Sequence, residues 1–394
     1  MRVRATGEGA SIQLNAGTLT RARHQCRQHD LSRGERWGIR PCYNPRVPVL
    51  DVILAPALAP DDVVGLELHF LDAVAARQTP PVLLIYSSPG RCVSIGRYHL
   101  YRGGTERDGF NVTRRLTGGR VVGAGQGWLS LALILPTRTA LLKEDATRLK
   151  PDQIMNRYAR GLLTAMRTLG IDCFYPGRDA ITFEQREIAM CTFETDANGA
   201  MLFEATVALN RGMEELVHDL ERIDPDGALS CRMYDAASAT KMARELARDI
   251  SFDELAGAIA SGYENSLAET RRRDLTPLES SQAQHRGRAL AASNWLQRTA
   301  GDSPTLKNRI ASQLGAIEAA VALNSGRTIE SARLSGDFIA NSPAVAELES
   351  ELRGRPLDLA SVSQAVTKVF GRDGNFFLGA GELSNLVRLI AGVS

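Results

Sequence analysis

Short apolar runs separated by turn residues constrain the fold of this chain more than any other feature. The runs DAITF (179–183), REIAMCTFE (186–194) and AMLFEATVALN (200–210) follow one another closely. The second and third are joined by Asp196-Ala197-Asn198-Gly199, a sequence that favours a tight hairpin turn. Connections this short require antiparallel neighbours, because a parallel crossover needs about a dozen residues or more. This part of the chain therefore predicts an antiparallel ladder rather than a Rossmann unit.

Helical patterns flank these strands. After Pro60, the segment DDVVGLELHFLDAVAAR carries apolar residues at helical spacing, and residues 151–170 form a second amphipathic pattern that ends at a glycine. Between them, VLLIYSS and CVSIGR are predicted to be strands paired around Ser88-Pro89-Gly90, and WLSLALILP a long strand. Together these elements predict an α+β fold with a mixed, mainly antiparallel sheet and flanking helices.

Composition divides the chain into four segments. Residues 1–47 contain nine arginines without a helical or strand period, and are predicted to be a basic, flexible N-terminal arm. Residues 48–270 carry the pattern of strands and helices and are predicted to form the main domain. Residues 271–287 mix an arginine triplet with Thr, Pro, Ser, Gln and His, which is typical of a linker. Residues 288–394 are predicted to form a small α+β accessory domain.

Charge and cysteine usage exclude several classes of function. A net charge of +2 creates no global field that would attract nucleic acid. The apolar runs are shorter than the roughly 18 residues of a membrane span, and the N-terminal segment lacks the apolar core of a signal peptide, so we expect a cytoplasmic protein. The six cysteines have no CxxC spacing and no histidine pair has metal-ligand spacing, so we expect reduced thiols and no protein-bound zinc.

The stretch RRLTGG, residues 114–119, is the strongest candidate for a ligand site. Arg114 and Arg115 end a predicted strand, and Thr117 and the pair Gly118-Gly119 follow in a turn. Paired guanidinium groups can bind phosphate or carboxylate oxygens bidentately, and adjacent glycines let backbone amides approach a ligand closely. The alternative is a glycine hairpin whose arginines are solvated, and the pattern by itself leaves both interpretations open.

Four segments in order carry a resemblance to a known family. SIGRYHLYR, RRLTGG, GIDCFYPGRDAITF and REIAMCTFE resemble the catalytic domain of the lipoate and octanoate protein ligases and transferases, which are related to the biotin protein ligases. Residues 288–394 are similar to the accessory domain of the lipoate-protein ligases, notably in NWLQRTAG and GRTIESARLSGDF. The resemblance covers most of the chain and implies a fold like that of class II synthetases and biotin ligases.

The resemblance also implies an activity. Lipoate or octanoate would react with ATP, which can bring Mg²⁺ with it, to form an acyl-adenylate. The acyl group would then pass to a lysine of a lipoyl-domain or H-protein-like acceptor. Arginines and backbone amides suit this chemistry, because charge develops on phosphate and carbonyl oxygens in both steps. The residues that the resemblance assigns to substrate binding are Gly96, Arg97, Arg114, Arg115, Thr117, Gly118, Gly119, Arg120 and Asp179.

Two positions depart from the family pattern. Where the family has a lysine that contacts the acyl carbonyl and the phosphate, this chain has Glu187, and Gln185 stands at the position of a glycine. A glutamate there would repel an acyl phosphate that an ammonium group would attract. In the glycine-rich turn, Arg120 replaces the third glycine and Ala124 replaces the usual histidine. These substitutions imply altered chemistry or loss of catalysis.

Thiols offer another route to acyl transfer. Some octanoyltransferases of this superfamily form a thioester on a cysteine, and Cys173 and Cys191 are the candidates here, with Glu187 as a polar group that contacts substrate. Arg178 lies near Cys173 in the sequence and would lower the pKa of its thiol. The alternative for either cysteine is a small buried apolar residue.

Three hypotheses therefore stay open at the level of sequence. The first, which is the main prediction, is an acyltransferase or acyl-adenylate-forming ligase with altered chemistry. The second is a non-catalytic protein of ligase descent, a pseudoenzyme that binds a lipoyl or acyl ligand or a lipoyl domain. The third is a structural subunit that assists an active ligase.

Overall fold

The computed structural model describes residues 49–107, 109–141, 150–223, 237–301 and 304–392. The predicted N-terminal arm lies outside these residues, as do Cys26, Cys42 and Cys231. The first part of the described chain contains β1 (Val49–Ala55), α1 (Pro60–Ala75), β2 (Val82–Tyr86), β3 (Cys92–Ile95), β4 (Glu106–Arg107), β5 (Phe110–Arg114), β6 (Val122–Gly123), β7 (Trp128–Leu135), α2 (Pro151–Thr168), β8 (Ala180–Phe183), β9 (Arg186–Thr195) and β10 (Met201–Ala208).

The second part completes the main sheet and adds the accessory unit. It contains α3 (Glu215–Ile223), α4 (Met242–Glu245), α5 (Phe252–Ser266), β11 (Glu269–Arg272), α6 (Pro277–Ala292), β12 (Leu306–Ala311), β13 (Ala316–Leu323), β14 (Ile329–Gly336), β15 (Ile339–Ala340), α7 (Ser342–Leu352), α8 (Leu359–Phe370), β16 (Phe377–Leu378) and α9 (Leu383–Ala391). Among the described residues, none of these helices combines the length and apolarity that a membrane span requires.

The main sheet has seven strands in the order β11-β1-β2-β7-β10-β9-β8. β11, β1 and β2 run parallel to one another, and β2 pairs antiparallel with β7. β7, β10, β9 and β8 form the antiparallel ladder that the hairpin pattern predicts. Residues of α2 and α5 share one core with strand residues of this sheet, and residues of α1 share another. The predicted mixed, mainly antiparallel α+β fold is therefore confirmed.

The predicted pairing of VLLIYSS with CVSIGR is wrong. β2 lies in the main sheet between β1 and β7, whereas β3 belongs to a second, four-stranded sheet in the order β4-β5-β3-β6. All five residues of β2 are buried, so this strand needs a neighbour on each side and finds both in the larger sheet. The segment around Ser88-Pro89-Gly90 carries the chain from one sheet to the other instead of closing a hairpin.

Residues 271–287, whose composition is typical of a linker, contain the end of β11 and most of α6. A capping box starts this helix: the Thr276 hydroxyl accepts a hydrogen bond from Glu279 N at 3.2 Å, and Thr276 N donates to the Glu279 carboxylate at 2.8 Å. The helix then packs so closely on α1 that a Cβ on Gly65 would lie 2.1 Å from Ala283 O. The glycine permits a backbone contact that a larger residue would prevent.

The accessory unit has its own core. β12, β13 and β14 form an antiparallel sheet, in which β13 and β14 are a hairpin joined across Ser325-Gly326. The helices α7 and α8 cover residues 342–352 and 359–370. Residues of these helices, of α9 and of the three strands share one apolar cluster, which also includes Tyr98 from the first part of the chain.

Candidate functional site

Arg114 is buried and binds the chain's own backbone. Its Nη1 donates hydrogen bonds to the carbonyl oxygens of Gly96, Arg97 and His99 at 3.0, 2.9 and 2.8 Å, and its Nε and Nη2 donate to Leu296 O at 3.0 and 2.6 Å. Burial, helped by neighbouring arginines, lowers the pKa of this guanidinium to about 9. The group therefore joins the turn after β3 to the segment after α6.

The side chain of Arg115 stabilises the glycine turn by donating hydrogen bonds to it. Its Nη1 donates to Ser94 O at 2.9 Å, its Nη2 donates to Gly118 O at 2.9 Å and Arg120 O at 2.7 Å, and its Nε lies 3.4 Å from Thr117 Oγ1. The five donors of a planar guanidinium group can satisfy several carbonyls at once, which an ammonium group does less well. Both arginines of RRLTGG thus organise the turn itself.

The accessory unit covers the glycine turn. Gly119 N donates a hydrogen bond to Phe338 O at 2.7 Å, and a Cβ on Gly118 would lie 2.2 Å from the same oxygen. Thr192 Oγ1 donates to Gly118 O at 3.1 Å. The ring of Tyr98 stacks on Phe338 with centroids 4.3 Å apart. The amide that would meet a ligand phosphate is therefore bonded to the SGDF segment in this structure.

A chain of hydrogen bonds runs from the GRYH turn into SGDF. Gly96 N donates to His99 Nδ1 at 2.9 Å, so the other ring nitrogen, Nε2, carries the hydrogen that is donated to Asp337 Oδ1 at 2.9 Å. The second oxygen of Asp337 accepts from Ala316 N at 2.9 Å. Arg97, at the edge of this turn, donates to Leu116 O at 3.1 Å and lies over the ring of Trp295.

The third arginine of the turn binds Glu187, the residue that the resemblance puts in the place of the family's lysine. Arg120 binds both oxygens of Asp179, with Nε to Oδ2 at 2.6 Å and Nη2 to Oδ1 at 3.0 Å, and its Nη1 donates to Glu187 Oε2 at 2.9 Å. Their exposed fractions are 1%, 3% and 6% for Arg120, Asp179 and Glu187. Charges buried this deeply are stable only when they are paired or well hydrogen-bonded. The two substitutions, Arg120 and Glu187, are therefore complementary.

The start of β9 is also covered along its backbone. Glu187 N donates to Ser238 O at 2.8 Å, and Thr240 N donates to Glu187 O at 2.9 Å. Lys241 follows this segment directly, and its Nζ donates to Glu215 Oε1 at 3.2 Å. No local pattern singles out Lys241, because it lies far from Glu187 along the chain.

Cys173 and Cys191 are fully buried in the core of the main sheet. Burial raises the pKa of the Cys173 thiol to about 12, and the nearby carboxylate of Asp172 adds to this effect. Burial likewise raises the pKa of Cys191, and Asp179 adds to it. A thiol in such surroundings stays protonated at neutral pH and is a poor nucleophile. Both candidate cysteines therefore lie in the core, which is the alternative that their apolar sequence context left open.

Two buried carboxyl groups lie beneath the glycine turn. Tyr86 donates a hydrogen bond to Glu67 Oε1 at 3.4 Å, and the Thr117 hydroxyl donates to Glu204. Burial raises the pKa of both acids, and for Glu67 the charge of Glu204 adds to the effect. Sequence reasoning missed this pair, although one signal was present. Glu204 interrupts MLFEATVA, a strand in which every residue is buried.

These acids line a small cavity of about 20 Å³ beneath the turn, together with Tyr86, Ser94 and Arg115. A volume of that size holds about one water molecule. Among all the described residues, no group of three or more His, Cys, Asp and Glu side chains is arranged to hold a metal ion.

A model of the lipoyl protein ligase A/B catalytic domain matches residues 60–264. The chain belongs to this family. The match lies within the segment that resembles the ligases in sequence, so the resemblance drawn from RRLTGG and REIAMCTFE is confirmed. The domain boundaries at 47, 270 and 287 stay predictions.

Three similar proteins illustrate the family. The octanoyltransferase LipM of an Exiguobacterium species is 24% identical over 244 residues, which cover 54% of this chain and 84% of LipM. The structure of LipL1 from P. falciparum in complex with lipoate superposes with a TM-score of 0.59 at 14% identity, and covers 82% of this chain and 94% of LipL1. A lipoate-protein ligase A bound with ATP gives a TM-score of 0.45 at 16% identity, covering 64% and 96%. The match to LipL1 confirms the shared fold.

Proposed function

We propose that this protein binds a small acyl acid of the lipoate and octanoate class without converting it to an acyl-adenylate by the lysine-dependent route. The observation that carries the proposal is the bridge that Arg120 makes between Asp179 and Glu187. In the family pattern, position 187 supplies a cation to the acyl carbonyl and phosphate. In this chain the cation near that position is already bound to two carboxylates of the protein.

The charge of this group disfavours an adenylate. One guanidinium between two carboxylates leaves a formal charge of −1 on the buried triad of Arg120, Asp179 and Glu187. Two like charges about 4 Å apart repel by about 4 kcal/mol at an effective dielectric constant of about 20. An acyl phosphate brought against the triad would meet this repulsion, whereas a ligand whose charge is paired with another cation of the protein would meet less of it. The covered amide of Gly119 removes a second group that could bind the phosphate.

Acyl transfer is the second candidate, and the similarity to octanoyltransferase LipM favours it. In that case an octanoyl group would pass to a lipoyl-domain or H-protein-like acceptor, with or without ATP and Mg²⁺. The burial and raised pKa of Cys173 and Cys191 mean that this route would need another nucleophile. Either activity fits a cytoplasmic protein whose cysteines lack disulfide spacing.

Two measurements on the purified full chain separate these functions. We expect calorimetric titration with octanoate or lipoate to show saturable binding to a single site. We expect no pyrophosphate release that depends on either acid in the presence of ATP and Mg²⁺, while an active lipoate-protein ligase assayed in parallel releases it. Robust acid-dependent pyrophosphate release would overturn the proposal and favour a ligase. Octanoyl transfer to an acceptor domain without pyrophosphate would favour the transferase.

A further inference from the structure

A larger cavity lies beside the buried triad of Arg120, Asp179 and Glu187, between the main sheet and the accessory unit. Its volume is about 200 Å³. Drug-sized ligands occupy pockets of roughly 300–1,000 Å³, so this cavity suits a smaller molecule. The residues around it include Arg178, Asp179, Leu314, Ile339, Phe377 and Leu378.

The cavity beneath the glycine turn is unsuited to an alkyl chain. It measures about 20 Å³, and its wall carries the carboxyl groups of Glu67 and Glu204. One oxygen of Glu67 has no hydrogen-bond partner among the described residues, although the side chain is fully buried. Methylene groups packed against it would remove any remaining water from a polar group and offer no hydrogen bond in return. An acyl chain therefore needs a different location in this molecule.

The larger cavity offers an apolar wall and a cation. Leu314, Ile339 and Phe377 are buried apolar residues that line it. Arg178 also lines it, is half-buried, and within the described part of the chain makes no hydrogen bond or ion pair. The adjacent carboxylate of Asp179 does not neutralise Arg178, since both its oxygens are bound by Arg120.

We propose that this cavity binds a medium-chain carboxylic acid, with the carboxylate on Arg178 and the alkyl chain against Leu314, Ile339 and Phe377. The inference rests on the proposed function and names the site and the ligand's orientation. It predicts a dependence on chain length, because each buried methylene contributes about a fourfold gain in affinity. Affinity should rise from butanoate to octanoate and stop rising once the cavity is filled.

Calorimetric titration of the full chain tests the role of Arg178. We expect Arg178→Gln to weaken octanoate binding about 10-fold to 100-fold, the range for a hydrogen bond to a charged group. The same variant should leave the affinity for octanamide unchanged, because this ligand has no charge to lose. Arg353→Gln is the matched control, since Arg353 is exposed and does not line the cavity. It should bind octanoate as the wild type does.

A second variant tests the apolar wall. Leu378→Trp places a larger side chain at a partly buried position on the cavity, and we expect it to weaken octanoate and octanamide equally. If the wild type binds octanoate and neither Arg178→Gln nor Leu378→Trp changes the affinity, the cavity is not the site, while the proposed function stands. If the wild type binds neither octanoate nor lipoate, the inference and the proposed binding function both fail.

Discussion

Arg120 Nη1 and Glu187 Oε2 lie 2.9 Å apart in the interior of the protein. By the resemblance drawn from sequence, each residue taken alone breaks the family pattern, because one stands in the place of a glycine and the other in the place of a lysine. Together they form an ion pair that Asp179 extends. We propose that the chain has exchanged a cation that could face a ligand for one that is held by its own carboxylates.

Removing Arg120 should destabilise the fold. Arg120→Gln leaves Asp179 and Glu187 buried without their counter-charge, and we expect the free energy of unfolding to fall by about 3–5 kcal/mol in urea titrations. Arg309→Gln is the control, because it removes a half-exposed ion pair with Glu318 and should cost below about 1 kcal/mol. In a double-mutant cycle with Glu187→Gln, we expect a coupling of about 0.5–3 kcal/mol. Additive effects would show that the two side chains do not interact.

Arg114 should act on stability. Arg114→Gln removes the donors that serve four backbone carbonyls, those of Gly96, Arg97, His99 and Leu296. We expect a loss of roughly 2–4 kcal/mol in the free energy of unfolding, because buried acceptors lose their partners. Octanoate affinity, measured on the fraction that is folded, should stay within about twofold of wild type. A large loss of octanoate affinity with unchanged stability would show that Arg114 binds the ligand, as the sequence RRLTGG suggested.

Some of this arrangement could be predicted from sequence and some could not. The strands β8, β9 and β10 and the helix α2 follow local periodicity and turn residues, so their positions were predictable. The separation of β2 from β3 was not, because which strands pair depends on contacts far apart in the chain. Composition likewise concealed α6, whose few buried residues are small.

The candidate site, too, could be predicted from sequence only in part. The residue types in RRLTGG and at position 187 identify a functional segment of the family, but they do not reveal which groups meet. That Arg114 binds carbonyls while Arg120 binds carboxylates depends on where two sheets and the accessory unit place their backbones. The contact between Gly119 and Phe338 joins residues more than two hundred positions apart. No local pattern encodes such a contact.

Glu194 should make stability depend on pH. Its Oε1 accepts a hydrogen bond from Ser342 N at 2.7 Å at the start of α7, and burial raises the pKa of the carboxyl from 4.5 to about 8. The folded state thus holds this proton at pH values where the unfolded chain has released it. We expect this group's contribution to be complete below about pH 4.5 and to decline as the pH rises to about 8.

Unfolding free energies measured from pH 4 to 9 test this expectation. Glu194→Gln keeps an oxygen for Ser342 N but cannot ionise, so the difference in stability between this variant and the wild type should widen as the pH rises. Curves that stay parallel across the range would show that Glu194 titrates with an ordinary pKa.

The thiols of Cys92, Cys173 and Cys191 should be unreactive in the folded protein. All three are buried, and burial raises the pKa of Cys92 and Cys173 to about 12. After brief exposure to iodoacetamide at pH 7.5, we expect peptide mass spectrometry to find these three cysteines unmodified, and to find them modified after the same treatment in urea. Rapid labelling of Cys173 in the native protein, or an acyl thioester on it, would restore the cysteine route.

Native mass spectrometry of the full chain mixed with octanoate, ATP and Mg²⁺ tests the central claim most directly. If Arg120 and Glu187 have replaced the cation that activates the acid, the protein should carry one adduct with the mass of octanoic acid. An adduct with the mass of octanoyl-adenylate would contradict the account.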